Sequence, residues 1–337
     1  MKVLLTGGAG FIGCNWAARL VRGGHAVTVF DNLSRKGTAS NLEWLKQQGA
    51  VRFIRGDVRD GAALVEAAKG QNAIYHLAAQ VAVTTSVVNP REDFEINALG
   101  TFNALEAARA AGTQPVLVYA STNKVYGGME DVRVSEEATR YRYTDLPLGL
   151  PESQPLDFHS PYGCSKGAGD QYVRDYARIY DLPTVVFRQS CVYGLRQFGV
   201  EDQGWLAYFV IAAAKGRPIN IYGDGKQVRD MLWIDDLLDA YEIALHHPVK
   251  IAGKIYNVGG GPEFTLSIWT EVGPLLDSLA GRKIETRRGD WRPGDQKVYV
   301  SDIRKAESEL GWKPKVPPRV GMKRLWEWVN GNLELFE

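Results

Sequence analysis

Tyr162 and Lys166 stand four residues apart in the segment Tyr162-Gly-Cys-Ser-Lys166. On a helix, residues four apart lie on one face, and Pro161 suits the first turn of a helix. A lysine ammonium beside a phenol favours the phenolate and lowers the pKa of the phenol from about 10 towards neutral. The pair is therefore predicted to take a proton from a substrate hydroxyl and to return it.

The same spacing recurs at Tyr222 and Lys226, inside the segment Tyr-Gly-Asp-Gly-Lys. Two glycines within five residues indicate a turn, which cannot place the two side chains on one helical face. The spacing alone therefore does not identify a catalytic pair. The elements that surround Tyr162 must decide whether it acts in chemistry.

A glycine-rich segment follows the apolar run 3–6 and reads Gly7-Gly8-Ala9-Gly10-Phe11-Ile12-Gly13. Such glycines allow a tight turn and let a pyrophosphate approach the backbone at a helix N-terminus. The segment is followed by a predicted helix over 11–22 and a predicted strand over 25–30 that ends at Asp31, which is the context of a dinucleotide-binding site. The alternative is a loop that is merely flexible. Asp31 favours NAD because it would bind a ribose diol, while Arg35 and Lys36 leave NADP as an alternative.

Strands and helices alternate through the first half of the chain. Strands are predicted over 51–55, 73–77, 115–120 and 184–188, with helices at about 40–48, up to Lys69, 90–111 and 161–180. This alternation predicts an α/β fold with a doubly wound parallel sheet covered on both faces. Ligands of such sheets bind beyond the carboxyl ends of the strands. Candidate residues follow five strands: Gly7–Gly13, Asp31–Asn32, Asp57–Val58, Leu77–Ala79 and Ser121–Thr122.

Composition narrows the class of protein. The chain has 337 residues, enough for one large or two ordinary domains, with 45% hydrophobic and 23% charged residues. A net charge of +1 gives no general attraction to nucleic acid or to a membrane surface. Neither a membrane helix nor a signal peptide is predicted. The three cysteines include no Cys-x-x-Cys motif, which suits a cytoplasmic protein. The five histidines show no metal-ligand spacing, so no metal is expected.

Together, these motifs resemble the extended short-chain dehydrogenases/reductases that act on nucleotide sugars. The resemblance implies that Thr122, Tyr162 and Lys166 are catalytic and that Asn97, on the long helix, supports the site. It also implies a set of NAD-binding residues, which are Gly7, Gly10, Phe11, Ile12, Gly13, Asp31, Asn32, Asp57, Val58, Leu77, Ala78, Ala79, Asn97, Tyr162, Lys166 and Gln189. A helix or turn cap is the alternative role for Thr122.

The residues after Thr122 distinguish reactions within the family. The 4,6-dehydratases carry Asp-Glu there as acid and base, whereas this chain has Asn123-Lys124, which argues against elimination of water. The segments 122–127, 157–166 and 196–205 resemble the CDP-tyvelose (CDP-paratose) 2-epimerases. The substrate residues implied by the resemblance are Gln80, Asn123, Lys124, His159, Ser190, Cys191, Arg196, Gln197, Gln203, Tyr222, Arg229 and Arg292.

Arg229 and Arg292 resemble the family's diphosphate anchors, and a surface ion pair is the alternative for each. Residues 128–160 are predicted to be a long connection without periodicity. Its aromatic residues and prolines favour an ordered cover over a site, and a surface loop without function is the alternative. The predicted domains are residues 1–190, with segments returning at about 228–258, for NAD, and residues 191–337 for the nucleotide sugar. The second domain is expected to be the smaller one, with shorter strands.

The sequence therefore predicts an NAD-dependent enzyme that inverts C2 of a nucleotide-diphosphate sugar, of CDP-paratose, CDP-tyvelose or CDP-glucose type, through a keto-sugar. One alternative is a 4-epimerase or other oxidoreductase acting on a UDP- or GDP-sugar. Another, from a different class, is a non-catalytic NAD-binding regulator. The family pairs subunits through its long helices, here near 97–111 and 162–180, so a homodimer or homotetramer is expected.

Overall fold

The computed structural model of the chain describes residues 1–292 and 295–336. Most of its regular elements lie where the sequence predicts them. The strands are β1 Lys2–Thr6, β2 Ala26–Asp31, β3 Val51–Arg55, β4 Ala73–His76, β5 Val116–Thr122, β6 Val134–Glu136, β7 Tyr141–Tyr143, β8 Thr184–Gln189, β9 Val192–Tyr193, β10 Ile219–Tyr222, β11 Val228–Asp230, β12 Leu232–Trp233, β13 Lys254–Val258, β14 Thr265–Ser267, β15 Thr286–Gly289 and β16 Val298–Tyr299.

The helices include a π-helical turn at Glu95–Leu99 and 3-10 turns at Asn123–Tyr126 and Leu333–Phe336. The α-helices are α1 Phe11–Arg22, α2 Thr38–Lys46, α3 Gly61–Ala68, α4 Val83–Val88, α5 Pro90–Phe94, α6 Gly100–Arg109, α7 Ser160–Tyr180, α8 Trp205–Ala214, α9 Ile234–His246, α10 Pro248–Ile251, α11 Val272–Ala280, α12 Arg304–Leu310 and α13 Pro318–Asn330. No helix among the described residues is both long enough and apolar enough to cross a membrane.

The chain forms two compact units. Unit 1 comprises Met1–Val125, Ser160–Arg188 and Leu238–Tyr256, and unit 2 comprises Tyr126–His159, Gln189–Leu237 and the described part of residues 257–337. The sequence predicts that Tyr126–His159 belongs to the first domain and that the returning segment begins at about residue 228. The structure places both 126–159 and 228–237 in unit 2. The assignment of the units to NAD and to the nucleotide sugar stays a prediction.

Unit 1 is built on a seven-stranded sheet in the order β13-β8-β5-β4-β1-β2-β3. The pairs β1–β2, β2–β3, β1–β4 and β4–β5 are parallel. The predicted doubly wound parallel sheet is confirmed. The strand order reverses between β1 and β4, which brings the turns that follow these two strands to the same edge of the sheet.

Packing of large aromatic side chains holds α1 and α9 to unit 1. Trp16 of α1 lies 5.2 Å from Tyr75 of β4 and 5.9 Å from Tyr241 of α9, measured between ring centroids. Tyr75 donates a hydrogen bond of 2.7 Å to the carbonyl of Tyr241. All three side chains are almost completely buried, so their burial contributes on the order of 2–3 kcal/mol each.

The helix predicted over 90–111 is interrupted. A π-helical turn at Glu95–Leu99 separates α5 from α6, and its capping residue Gly100 lies against Val58. A Cβ atom at Gly100 would lie 2.7 Å from the Val58 side chain, so this close approach requires glycine. The extra residue of a π-turn rotates the helix face, and such turns occur often at functional sites. Asn97 stands inside this turn.

Unit 2 is made of short strands, as expected for the second domain. Residues 128–160, predicted to lack regular structure, contain the antiparallel hairpin β6–β7. The hairpin is held within unit 2 by the Tyr141 amide, which donates to the carbonyl of Lys226, and by Arg140, which pairs with Glu271. The hairpin was not predicted from the sequence because each strand has only three residues and shows no clear alternation of apolar and polar side chains. The predicted role of this segment as a cover stays a prediction.

Candidate functional site

The glycine-rich turn between β1 and α1 is the first part of the site in unit 1. Gly7 has φ +67°, and a Cβ atom there would lie 2.6 Å from the Ala78 amide nitrogen. A Cβ atom at Gly13 would lie 2.3 Å from the Gly7 carbonyl oxygen. Only glycine fits at these two positions, and the turn leads directly into the N-terminus of α1 at Phe11. This cradle suits a pyrophosphate, as predicted for Gly7, Gly10, Phe11, Ile12 and Gly13.

Asp31 ends β2 beside the glycine-rich turn. Its carboxylate accepts a hydrogen bond of 3.0 Å from the Ala9 amide and one of 2.8 Å from the Leu33 amide. Burial raises the pKa of Asp31, and the two backbone hydrogen bonds lower it. The side chain therefore lies where a ribose bound over the turn would meet a carboxylate.

Asp57 follows β3, next to Asn32. Arg59 donates from Nε and from a terminal nitrogen to the Asp57 carboxylate at 2.9 and 2.8 Å, and Asn32 Nδ2 donates to it at 2.9 Å. The hydrogen bond from the Arg59 side chain holds the pKa of Asp57 well below its usual range. The Asn32–Asp57 hydrogen bond thus joins the ends of β2 and β3, and the Asp57 carboxylate already has partners within the chain.

Asn97 joins the end of β4 to the helices. Its Nδ2 donates to the Gln80 carbonyl at 3.0 Å, and its Oδ1 accepts from the Gln80 amide at 2.9 Å. The Leu77 amide donates to the Thr6 carbonyl, which continues the β1–β4 pairing by one residue. Asn97 therefore holds the backbone of Gln80, the residue that follows Leu77, Ala78 and Ala79 in this strand-end segment, and its support of the site stays a prediction.

Tyr162 and Lys166 lie in the first two turns of α7, with exposures of only 8% and 3%. Lys166 Nζ donates a hydrogen bond of 2.7 Å to the Ala120 carbonyl and lies 4.2 Å from the centre of the Tyr119 ring. Burial lowers the pKa of Lys166 to about 7, and the charges of Asp170 and Asp93 raise it. A buried lysine of this kind changes its charge near neutral pH.

Tyr162 differs from the prediction in one respect. Burial raises the pKa of its phenol to about 12, whereas the Thr122 side chain, through a hydrogen bond, lowers it. The charge of Arg35 also lowers the pKa, and that of Asp93 raises it. The expected fall towards neutral is absent because the low-dielectric surroundings penalise the phenolate and the Lys166 ammonium is directed to Ala120. The predicted role of Thr122, which is to hold the reacting hydroxyl of a substrate, stays a prediction.

The residues after Thr122 carry no carboxyl group. Thr122 Oγ1 accepts a hydrogen bond of 3.2 Å from the Lys124 amide and lies 3.4 Å from Asn123 Oδ1. Thr122 therefore caps the turn that follows it, as the capping alternative expects, and its catalytic role stays a prediction. Neither Asn123 nor Lys124 offers the acid and base pair that dehydration requires.

Three buried polar residues near this pair, His76, Asp170 and Arg188, were not predicted from the sequence. Ser121 donates to Asp170 at 2.8 Å, and Arg188 forms a buried ion pair with Asp170 at 2.9 Å. His76 Nδ1 lies 2.8 Å from Thr6 Oγ1, and burial lowers the pKa of His76 to about 3. The helical spacing of Asp170, four residues after Lys166, was a usable signal. The pairing with Arg188 was not, because it depends on the packing of α7 against β8.

The predicted diphosphate residues of unit 2 each have an acidic partner. Arg229 is 7% exposed, forms an ion pair of 2.6 Å with Asp295, and donates to the Gln296 carbonyl at 2.8 Å. Arg292 lies 4.0 Å from the centre of the Tyr222 ring and 3.1 Å from the Asp202 carboxylate. The ion-pair alternative therefore holds for both, although Arg229 is buried. Planar guanidinium groups can still exchange such partners for a diphosphate.

Ser190 and Cys191 begin a second cluster in unit 2. Ser190 Oγ donates a 2.5 Å hydrogen bond to Asp230, which is fully buried and also accepts from the Ser301 amide at 3.1 Å. Burial raises the pKa of Asp230 and that of the Cys191 thiol. Cys191 has φ +38°, a strained backbone for a non-glycine residue. Asp230 was not predicted, because its neighbours come from distant parts of the chain.

The remaining predicted substrate residues of unit 2 are His159, Arg196, Gln197 and Gln203. Gln197 is 5% exposed and donates to the Val192 carbonyl at 3.3 Å, while Gln203 pairs by its backbone with Val200. Arg196 has φ +67°. His159 is half-exposed, with Nε2 3.7 Å from Asp157. Gln189, which is predicted to bind NAD and not the substrate, is the buried last residue of β8. Their binding roles stay predictions, and no group of metal-ligating side chains occurs in residues 1–292 and 295–336.

Comparison with known proteins shows similarity over nearly the whole length. The GDP-mannose 4,6 dehydratase family model matches residues 4–325. CDP-paratose 2-epimerase from Salmonella typhi is 44% identical over 337 residues, which cover 98% of this chain and 99% of that protein.

Solved structures agree with this result. The dTDP-glucose 4,6-dehydratase DesIV from Streptomyces venezuelae, with NAD and TYD bound, is 31% identical with a TM-score of 0.86, covering 100% of this chain and 99% of that chain. UDP-glucose 4-epimerase from Thermus thermophilus, in complex with NAD, is 33% identical with a TM-score of 0.81, covering 98% of this chain and 100% of that chain.

The family resemblance seen in the sequence is confirmed by these matches, and the glycine cradle and Asp31 fit the dinucleotide that the family uses. The chain therefore belongs to the extended short-chain dehydrogenase/reductase family of NAD-dependent nucleotide-sugar epimerases and dehydratases.

Proposed function

We propose that this chain is an NAD-dependent epimerase that inverts C2 of a CDP-sugar of the paratose, tyvelose or glucose type. The observation that carries the proposal is the buried pair Tyr162 and Lys166 together with a Thr122 turn whose next two residues lack carboxyl groups. Such a site can oxidise and re-reduce a carbinol but has no acid and base there for removing water. The 44% identity to a CDP-paratose 2-epimerase supports the choice of C2 and of cytidine.

The glycine cradle and Asp31 would hold NAD, which when bound supplies the hydride acceptor and donor together with a positive charge. Thr122 would hold the reacting hydroxyl against Tyr162 Oη. Tyr162 Oη would remove the hydroxyl proton as the carbinol becomes a ketone, and would return that proton when the ketone is reduced from its other face. Because the proton and the hydride are both returned, the reaction needs no external oxidant.

Lys166 acts on this step through its charge. An ammonium at Nζ favours the phenolate of Tyr162, and the hydrogen bond to Ala120 fixes its place. Since burial raises the pKa of Tyr162 to about 12, the positive charges at the site have to offset that burial. In unit 2, Arg229 and Arg292 would bind the diphosphate, exchanging Asp295 and Asp202 for phosphate oxygens.

The test is incubation of the purified protein with CDP-tyvelose, CDP-glucose, UDP-glucose and GDP-mannose, without added cofactor, followed by NMR of the sugar. We expect a C2 epimer from a CDP-sugar, and a primary isotope effect with deuterium at C2 but not at C4. A C4 epimer from UDP-glucose would instead establish the 4-epimerase alternative. No product from any of the four sugars would refute the proposal.

We also propose that the active form is a homodimer or homotetramer that pairs through α6 and α7. Phe102 and Tyr172, on these two helices, contact each other edge to face at 6.3 Å yet are 40% and 52% exposed. Ile179, at 63%, extends the same apolar face. Light scattering should give a dimer or larger mass, and Tyr172→Asp should reduce it. A cytoplasmic location, inferred from the odd number of cysteines, is part of this proposal.

A further inference from the structure

Asp93, in α5, carries a buried carboxylate that the proposed mechanism does not use. Its side chain is 1% exposed and accepts hydrogen bonds from Ser165 Oγ at 2.5 Å, from Asn97 Nδ2 at 3.1 Å and from Gln80 Nε2 at 3.2 Å. All three partners act as donors, which matches an ionised carboxylate. Burial raises the pKa of Asp93, and the hydrogen bonds from Ser165 and Asn97 lower it.

The three donors belong to three different segments of unit 1. Ser165 stands between Tyr162 and Lys166 on α7, and its hydroxyl also lies 3.2 Å from the Tyr162 carbonyl. Asn97 stands in the π-helical turn, and Gln80 follows β4. The Asn97 amide lies 3.2 Å from Ser165 Oγ, so the three donors form one network around the carboxylate. Asp93 thereby ties the first turns of α7 to the strand-end segment that precedes α4.

The charge of Asp93 also reaches the proton-transfer pair. It raises the pKa of Lys166 against the lowering effect of burial, and it raises the pKa of Tyr162. Other groups face the same pair: Asp170 raises the pKa of Lys166, and Arg35 lowers that of Tyr162. The buried phenol of Tyr119 stacks under Lys166, and Arg188 neutralises Asp170.

We propose that Asp93 is a positioning residue of the Tyr162–Lys166 pair, which it holds in place through its hydrogen bonds with Ser165, Asn97 and Gln80. This inference rests on the proposed function, because it assigns Asp93 a part in the same reaction. It predicts two separable effects, one on the geometry of the turn and one on the titration of the pair.

Three variants separate these effects. Asp93→Asn removes the charge and replaces an acceptor by a donor, and Ser165→Ala removes one hydrogen bond but leaves the charge. Glu92→Gln is the matched control, because it removes a neighbouring carboxylate on the same helix whose bond is to Asn89 and not to the network. The NAD content and Tm of each purified variant are measured alongside activity.

For Asp93→Asn we expect kcat for CDP-tyvelose to fall by up to about 100-fold, with KM and NAD content nearly unchanged, because misplacement of the pair affects the chemical step. For Ser165→Ala we expect a fall of about tenfold, and Glu92→Gln should match the natural chain. If kcat is unchanged in either of the first two variants, the positioning role is wrong. Ser165→Ala keeps this test available if Asp93→Asn does not fold.

The second readout needs no sugar. The tyrosinate absorbance of the NAD-bound protein, after subtraction of the Tyr162→Phe variant, reports the titration of Tyr162. Asp93→Asn should move its midpoint down by about one pH unit, whereas Ser165→Ala should not move it. An unmoved midpoint in Asp93→Asn would refute the role of the charge. Because this titration works without substrate, it stays informative even if no sugar is epimerised and the proposed function fails.

Discussion

Tyr162–Lys166 and Tyr222–Lys226 have the same spacing and opposite surroundings. The first pair lies in α7, with both side chains more than 90% buried among Thr122, Tyr119 and Ala120. The second pair begins at the end of β10 and passes through Gly223 and Gly225, both with positive φ. Tyr222 donates to Glu201 at 2.8 Å, and Lys226 pairs with Glu136 at 2.7 Å.

The difference shows how strongly the surroundings of a Tyr–Lys pair affect its protonation. Burial makes the protonation states of Tyr162 and Lys166 depend on a few neighbouring charges, since water cannot screen them. The second pair has carboxylate partners instead, and Lys226 keeps 24% of its side chain exposed. Helix geometry and desolvation, rather than residue identity, therefore distinguish the two. The predictions below test this difference, from the largest effect to the smallest.

Tyr162→Phe should lower kcat for epimerisation by about 10³-fold or more, because it removes the atom that takes and returns the proton. Steady-state rates measured by NMR of the CDP-sugar check this. Bound NAD and Tm should stay close to those of the natural chain, since the ring still fills its site. A rate within tenfold of the natural chain would contradict the assignment of Tyr162.

Lys166→Met should lower kcat by about 10²-fold, because the side chain keeps its length but loses the charge that favours the phenolate. Burial lowers the pKa of Lys166 to about 7. The pH–rate profile of the variant should therefore lose the limb that reflects the titration of Lys166. Comparison of the two profiles between about pH 6 and pH 9 provides the measurement. Identical profiles would mean that Lys166 has no electrostatic part in the reaction.

The same variant should change how stability depends on pH. Between about pH 7 and pH 10 the unfolded chain keeps the Lys166 proton, whereas the folded chain, with its lowered pKa, releases it. The free energy of unfolding should therefore rise with pH over this window. The increase in that free energy that comes from Lys166 is lost again as the pH falls to about 7. Denaturant unfolding of Lys166→Met should show a flatter rise, with Lys226→Met as the matched control.

Tyr222→Phe should raise KM a few-fold and leave kcat nearly unchanged. Its hydroxyl donates to Glu201, and its ring lies under Arg292, so loss of the hydroxyl affects the setting of a proposed diphosphate anchor and not the reacting atoms. Initial rates over a range of CDP-sugar concentrations separate the two constants. A selective fall in kcat would instead place Tyr222 in the chemistry.

Lys226→Met should have the smallest effect. Its ion pair with Glu136 is partly exposed, and such pairs contribute about 0.2–1 kcal/mol. We expect kcat within about twofold of the natural chain and a small decrease in Tm. A loss comparable to that of Lys166→Met would remove the distinction between the two pairs.

The sequence was most accurate where the signal is local. The predicted helix over 11–22 has the bounds of α1, the predicted strand over 51–55 has those of β3, and Pro161 lies at the start of α7 as expected. Apolar periodicity, glycine and proline act within a few residues, so they can be read directly. The acidic partners of Arg229 and Arg292 could not be predicted from such local patterns, since Asp295 stands 66 residues after Arg229.

The sequence by itself determined the doubly wound fold, the glycine cradle with Asp31, and the helix that carries Tyr162 and Lys166. Tertiary structure decided the state of that pair: burial raises the pKa of Tyr162 to about 12, and Lys166 is directed to Ala120. It also decided that Asp93, 72 residues before Ser165, contacts the same turn. A pKa depends on everything that surrounds a group in space, and that environment is assembled from segments that are distant in sequence.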